Sequence, residues 1–257
     1  MMKTNILIIL SAMLILSAFT NKQLPQKVTI VAATNLKTAM DSIISVFKIQ
    51  NPNSDVQIIY GASGKLFEQI SNEAPFDIFF SADMEYPKKL KEKNLVLSDV
   101  KVYAIGQLAI WSKKIDPNKQ QINSLLDANI HKISIGNPAT APYGEKAVES
   151  MKFYKIYDKV ESKLVFGENI NQAAQFITIG AADIGIVALS LALSPNMLKE
   201  NGHYFVIPEK SHKPLEQGCL ILKHAQGNMT ATKFFDFVSS TKALDIFKYF
   251  GYSQKNK

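Results

Sequence analysis

Residues 28–36 read Val28-Thr29-Ile30-Val31-Ala32-Ala33-Thr34-Asn35-Leu36. The first six make a buried strand pattern. Leu36 then opens a series with Ala39, Met40, Ile43, Ile44 and Phe47, the i, i+3, i+4, i+7 spacing of one helix face. A strand that runs directly into a helix is the unit from which α/β folds are built. The same grammar recurs downstream. Val56 to Tyr60 reads as a second strand, followed by a short helix marked by Leu66, Phe67 and Ile70. Phe76 to Phe80 reads as a third, followed by a lysine-rich helix over about 86–93.

From Lys101 to Trp111 the chain reads as one long strand-like stretch leading into a second β/α series. That series contains strands at Ile133 to Ile135, Val165-Phe166, Ile184 to Val187 and Tyr204 to Ile207. Helices are predicted over about 143–154 and 169–179. After a polar link, Pro208 to Lys213, come a strand at Cys219 to Leu222 and two helices over about 230–239 and 241–250. The alternation predicts an α/β protein with mostly parallel sheet.

Composition narrows the function. The chain has 257 residues, 47% hydrophobic and 20% charged, enough for substantial cores and too apolar for a disordered chain. Cys219 is the single cysteine, which excludes an internal disulfide or a multi-cysteine metal site. The net charge of +7 comes from 29 cations, all of them lysine. Without arginine no guanidinium fork can grip phosphate, carboxylate or guanine, and the lysines are scattered, so nucleic acid is not an expected partner.

The N-terminus carries Lys3, then an apolar run from Ile6 to about Phe19 ending near the small residues Ser17 and Ala18. This is signal-peptide architecture, expected over residues 1–20 with cleavage near Thr20, and it is shorter than a spanning helix. A periplasmic or other extracytoplasmic protein is expected.

Three strand-to-helix junctions are rich in small and hydroxyl residues: Ala33-Thr34-Asn35-Leu36, Gly61-Ala62-Ser63-Gly64-Lys65 and Pro142-Tyr143-Gly144-Glu145. One reading is ordinary N-capping by Asn and Ser. The other needs the junctions to converge, whereupon free N–H groups and helix dipoles make an anion site without a formal cation. Spacing alone leaves both open. A catalytic reading of Ser63 is weaker, because Lys65 stands where a G-x-S-x-G elbow needs glycine and the four histidines fall in no triad context. The histidines are isolated and Asp77 with Asp83 lacks calcium-loop spacing, so no directly coordinated metal is expected. Asp83 reads as a helix cap, and Cys219 as a small core residue.

In order along the chain, VTIVAATNL (28–36), GASGKL (61–66), FDIFFSAD (76–83), GNPATAPYG (136–144), GENI (167–170) and ADIGIV (182–187) resemble the periplasmic molybdate-binding proteins of ABC transporters. The resemblance extends to the terminal Tyr249-Phe250-Gly251-Tyr252 and covers nearly the whole chain after the leader. It implies a two-lobed type II periplasmic-binding fold, each lobe a mostly parallel β-sheet flanked by helices. Lobe 1 would comprise residues 26–104 plus 211–257 and lobe 2 residues 105–210, with the ligand in the cleft between them. It further implies a non-catalytic monomer without a cofactor, which captures molybdate or tungstate and delivers it to an ABC permease.

Carried over by position, the ligand contacts are Thr34, Asn35, Ser63, Tyr143 and Ile170, the last through its backbone N–H. The Thr34-Asn35 pair resembles a variant branch of the family that also has tyrosine at position 143. Ala188 stands where many members place a contacting tyrosine, and Tyr143 would supply the missing hydroxyl. Molybdate and tungstate are tetrahedral dianions whose oxygens only accept hydrogen bonds, so a matching site offers donors and keeps carboxylates away. Helix dipoles in a dry cleft can then carry the charge. Other expectations are a cleft for another small oxyanion such as sulfate, distinguished by cavity size, or an exported serine hydrolase built on Ser63.

Overall fold

A computed structural model describes residues 27–254; the expected signal peptide lies outside the described residues. Two five-stranded sheets organise the chain. The first has the order β2-β1-β3-β10-β4, with β1 (Lys27–Ala33), β2 (Asp55–Gly61), β3 (Ile78–Phe80), β4 (Lys101–Gly106) and β10 (Leu215–Ile221). The second has the order β7-β6-β8-β5-β9. It contains β5 (Leu108–Ser112), β6 (Ile133–Gly136), β7 (Leu164–Gly167), β8 (Ile184–Ala188) and β9 (His203–Val206).

Each sheet has one strand reversed against the rest. β2, β1 and β3 are mutually parallel, and β10 runs antiparallel to both β3 and β4. In the second sheet β7, β6 and β8 are parallel, and β5 is antiparallel to β8 and β9. The reversed strands are the ones that enter from the other sheet. The stretch read as one strand from Lys101 to Trp111 breaks at Gln107, so that β4 ends in the first sheet and β5 begins in the second. Continuous β-propensity could not reveal this break, because both halves are buried and apolar. Return is through Ile207 to Pro214, between β9 and β10. A strand that leaves its sheet ends at the junction, and the strand it feeds starts there and runs away, hence the reversal.

Helices cover both faces of the first sheet. On one face pack α1 (Lys37–Gln50), α9 (Met229–Phe237) and α10 (Thr241–Tyr249), burying Met40, Ile43, Phe47, Phe234 and Phe247 with Ile30 and Phe80. On the other, α2 (Ser63–Ser71) and α3 (Glu85–Glu92) enclose Leu66, Ile70, Leu90, Val31 and Phe79. Val31 and Ile30 thus feed opposite cores, which is why the strand is apolar on both faces from Ile30 to Ala33. Around the second sheet lie α4 (Pro142–Phe153), α5 (Tyr157–Val160), α6 (Ile170–Thr178), α7 (Leu189–Ala192) and α8 (Pro195–Leu198). Trp111, Ile135, Met151 and Ile186 lie in their shared core. Cys219 is fully buried, as expected of a core residue, and burial raises its thiol pKa far beyond reactive values.

Candidate functional site

In open α/β sheets, ligands sit beyond the carboxyl ends of parallel strands. Here those ends meet. β1 delivers Thr34 and Asn35, β2 delivers Ala62 and Ser63, and β3 delivers Ala82. From the second sheet, β6 leads through a turn to Ala141, Pro142 and Tyr143, and β7 leads to Ile170. All five residues assigned by resemblance, Thr34, Asn35, Ser63, Tyr143 and Ile170, line one small, nearly closed cavity of about 10 Å³. Among the described residues, its lining contains no Asp, Glu, His, Lys or Arg.

The junctions are not capped in the ordinary way. The N-cap positions ahead of the 3₁₀ turn Thr34–Leu36, of α2 and of α4 are Ala33, Ala62 and Ala141, none of which has a side-chain acceptor. By contrast α8, α9 and α10, whose first turns lie away from the cavity, are capped by Ser194, Asn228 and Ser240. Of the two readings left open by the sequence, capping by Asn35 and Ser63 is the one these positions do not support. The first N–H groups of a helix have no intrahelical partner, and alanine caps leave these starts without a side-chain acceptor and with the positive end of the dipole at the cavity wall, although the Gly64 N–H is taken by the Thr140 carbonyl. α6 is the mixed case. Asn169 caps the N–H groups of Asn171 and Gln172, while Ile170, one residue earlier, lines the cavity.

Ser63 is 1% exposed, and its Oγ accepts from the Ala82 N–H at 3.0 Å. Its own proton remains for a ligand. Ser63→Ala removes that donor and leaves the Ala82 N–H without its partner. We expect oxyanion affinity to fall roughly 10- to 100-fold, the loss of a charge-assisted hydrogen bond of about 1.5–3 kcal/mol, measurable by calorimetric titration.

Asn35 behaves differently from the donor role expected of its amide. Its Nδ2 donates to Gln217 Oε1 at 3.0 Å and to Tyr252 Oη at 2.9 Å, so both amide hydrogens have protein acceptors. Its Oδ1 is buried without a partner among the described residues. Its carbonyl accepts from Ser190 Oγ at 2.9 Å and lies 2.9 Å from the Tyr252 hydroxyl.

Tyr143 is almost fully buried, and Gln217 Nε2 donates to its hydroxyl at 2.9 Å. Burial holds the phenol well above the usual tyrosine range, against the opposing effect of the Gln217 and Asn35 amides, so it stays protonated at neutral pH. Ala188 supplies no hydroxyl; it is the alanine N-cap of the short α7. The nearby carboxylate, Asp83, is occupied: its Oδ1 accepts from Ser81 Oγ at 3.0 Å and from the Tyr86 N–H at 3.1 Å, the helix-start role expected of it.

Sequence reasoning missed the polar layer behind the cavity, which comprises Gln217, Tyr103, Ser190 and the hydroxyl of Tyr252. The signal in the sequence was weak, because Gln217 follows the charged Glu216 and reads as part of the polar start of β10. Several bonds cross between the two halves: Gln217 to Tyr143, Ser190 to Asn35, and the Gly64 N–H to the Thr140 carbonyl at 3.0 Å. They hold the two halves closed on each other.

Two helix-flanked sheets, joined by two crossings and enclosing a donor-lined cavity at their strand ends, define the two-lobed type II periplasmic-binding fold. The chain belongs to the bacterial extracellular solute-binding protein family, whose profile matches residues 28–253. It is 35% identical over 200 residues to the molybdate-binding protein ModA of Rhodobacter capsulatus, covering 77% of each chain. It is also 35% identical to ModA of Azotobacter vinelandii over 228 residues, 88% of this chain and 89% of that one. The solved structure of an Azotobacter vinelandii periplasmic molybdate-binding protein superposes with a TM-score of 0.82 at 30% identity. That match covers 90% of this chain and all of the other.

Proposed function

We propose that the protein binds molybdate or tungstate outside the cytoplasmic membrane, as a monomer without catalytic activity, and delivers the anion to an ABC permease. The lobes, expected as residues 26–104 plus 211–257 and residues 105–210, exchange in this reading at Gln107, since β4 runs to Gly106 in the first sheet, and they open and close around the ligand. The observation that carries it is the alanine-capped convergence of helix starts on a cavity whose described lining has no carboxylate. Backbone N–H groups at Asn35, Ser63, Tyr143 and Ile170 and the hydroxyls of Thr34, Ser63 and Tyr143 suit a ligand that only accepts. The names of the relatives support the same ligand class.

One observation favours a second reading. The unpartnered Asn35 Oδ1 would be satisfied by an oxyanion that carries a proton, such as hydrogen phosphate. Isothermal titration with molybdate, tungstate, sulfate and phosphate separates the two. We expect about one molybdate or tungstate per chain, with sulfate and phosphate weaker by at least 100-fold. Preference for phosphate would replace the leading reading with the second, and no binding of any of the four would remove both.

A further inference from the structure

Tyr143 can present either a proton or a lone pair to the cavity, and which one it presents decides whether it attracts or repels an anion. A phenol has one proton and can also accept. The group that settles the matter lies behind it. Gln217 Nε2 donates to the Tyr143 oxygen at 2.9 Å. The Gln217 amide is held in that orientation from its other end: Oε1 accepts from Asn35 Nδ2 at 3.0 Å and lies 2.7 Å from the Tyr103 hydroxyl, whose one proton is shared with the Ser81 carbonyl at 2.9 Å. A flipped amide would set its nitrogen against the Asn35 amide nitrogen and its oxygen against Tyr143.

The backbone is shaped around this pair. β10 breaks register with β4 at Gln217/Gly218, the kind of bulge that re-aims a side chain beside a functional site. At the chain crossing, a Cβ on Gly106 would stand 2.1 Å from Tyr143 Oη and 2.4 Å from Gln217 Nε2, so only glycine leaves room for the bond. Gln217 itself is completely buried.

We propose that Gln217 is a positioning residue which fixes the hydrogen-bond polarity of Tyr143, turning its proton toward the ligand so that the site selects fully deprotonated oxyanions. Gln217 does this without touching the ligand; it is absent from the cavity lining. The inference rests on the oxyanion reading above and adds to it the origin of the selectivity. The titratable groups around Gln217 are Tyr103 on β4, Tyr143 on α4, Tyr252 after α10, Cys219 on its own strand, and Asp83 after β3, whose carbonyl accepts from the Gly218 N–H at 3.0 Å. Burial raises the pKa of the three phenols and the thiol, leaving them neutral around pH 7.

The near-isosteric Gln217→Glu tests the proposal. Ionised, the introduced carboxylate accepts the proton of Tyr143, whose oxygen then presents the cavity with a lone pair; protonated, the same group can donate as the native amide does. Tungstate and phosphate affinities are measured by calorimetry for the wild-type protein, Gln217→Glu, Gln217→Met, Tyr143→Phe and the Gln217→Met/Tyr143→Phe double variant. Titrations are run at pH 6.0 and 8.5, with melting temperatures recorded alongside. We expect Gln217→Glu to lose at least 100-fold in tungstate affinity at pH 8.5 and to recover at least 10-fold at pH 6.0, while the wild type varies less than threefold. Gln217→Met should weaken tungstate at least fivefold and narrow its margin over phosphate, and should add no further loss once Tyr143 is phenylalanine.

A pH-independent Gln217→Glu, or additive losses in the double variant, would overturn the proposal while leaving the oxyanion reading standing. Unchanged affinity in Tyr143→Phe would do the same, since the proton would then serve Asn35 Oδ1. Failure of the wild type to bind tungstate would overturn both. If Gln217→Glu melts out, Gln217→Met in the two Tyr143 backgrounds decides alone.

Discussion

Ala62→Asp is expected to abolish oxyanion binding while leaving the fold at least as stable as before. Alanine is a poor N-cap, and α2 begins at Ser63 with no side-chain acceptor for its first N–H groups. Aspartate is among the best caps, and exchanging such a residue for alanine costs about 0.5–2 kcal/mol, so the reverse change should add stability of that order. The same carboxylate would place a negative charge in the cavity wall, where Ala62 lies. At about 4 Å and an effective dielectric near 20, each pair of unit charges repels by roughly 4 kcal/mol. That is about a thousandfold in affinity for a monoanion and more for a dianion. Thermal melting and titration on one preparation would show the two effects moving in opposite directions. Parallel losses of stability and affinity would mean that the α2 start serves folding rather than the ligand.

Asn35→Ala is expected to act in the other sense, lowering stability and affinity together. The Asn35 amide holds the Gln217 and Tyr252 side chains, and it does so in a fully buried setting. Its removal leaves two buried polar groups short of a partner, a cost of about 1–3 kcal/mol each before any relaxation. For a chain of this size that is a fall in Tm of several degrees. Affinity should drop at least tenfold, since Gln217 loses the amide donor that orients it and the Tyr143 hydroxyl it supports is no longer held. An unchanged Tm with lost affinity would restore Asn35 to the simple ligand-donor role expected from the sequence.

Much of this fold was legible because its strands and helices are short, strongly periodic and separated by clear junctions. Val28 to Ala33 could only be a buried strand, and Leu36 to Phe47 only a helix. The break at Gln107 was invisible, because pairing with different sheets leaves no mark on local apolarity: β4 and β5 both lie among buried neighbours. The site was legible in its first layer. Thr34, Asn35, Ser63, Tyr143 and Ile170 stand at strand-to-helix junctions, and they do line one cavity. What the sequence could not convey was direction. Asn35 looked like a donor to the ligand, yet its amide faces inward because Gln217, 182 residues later, and Tyr252, 217 residues later, meet it there. Contacts at that separation are set by topology. The glycine at position 106 is likewise ordinary as a letter and decisive in place, since Tyr143 and Gln217 fill the space its side chain would need.

The most direct test is a crystal structure grown with tungstate, with anomalous data collected at the tungsten edge. One strong peak should lie in the cavity bounded by Thr34, Ser63, Tyr143 and Ile170. Its oxygens should fall within hydrogen-bonding reach of the backbone N–H groups of Asn35, Ser63, Tyr143 and Ile170 and of the Tyr143 hydroxyl. Tungsten bound elsewhere, or held in that cavity by a lysine or a metal ion instead of by uncapped helix starts, would contradict the account.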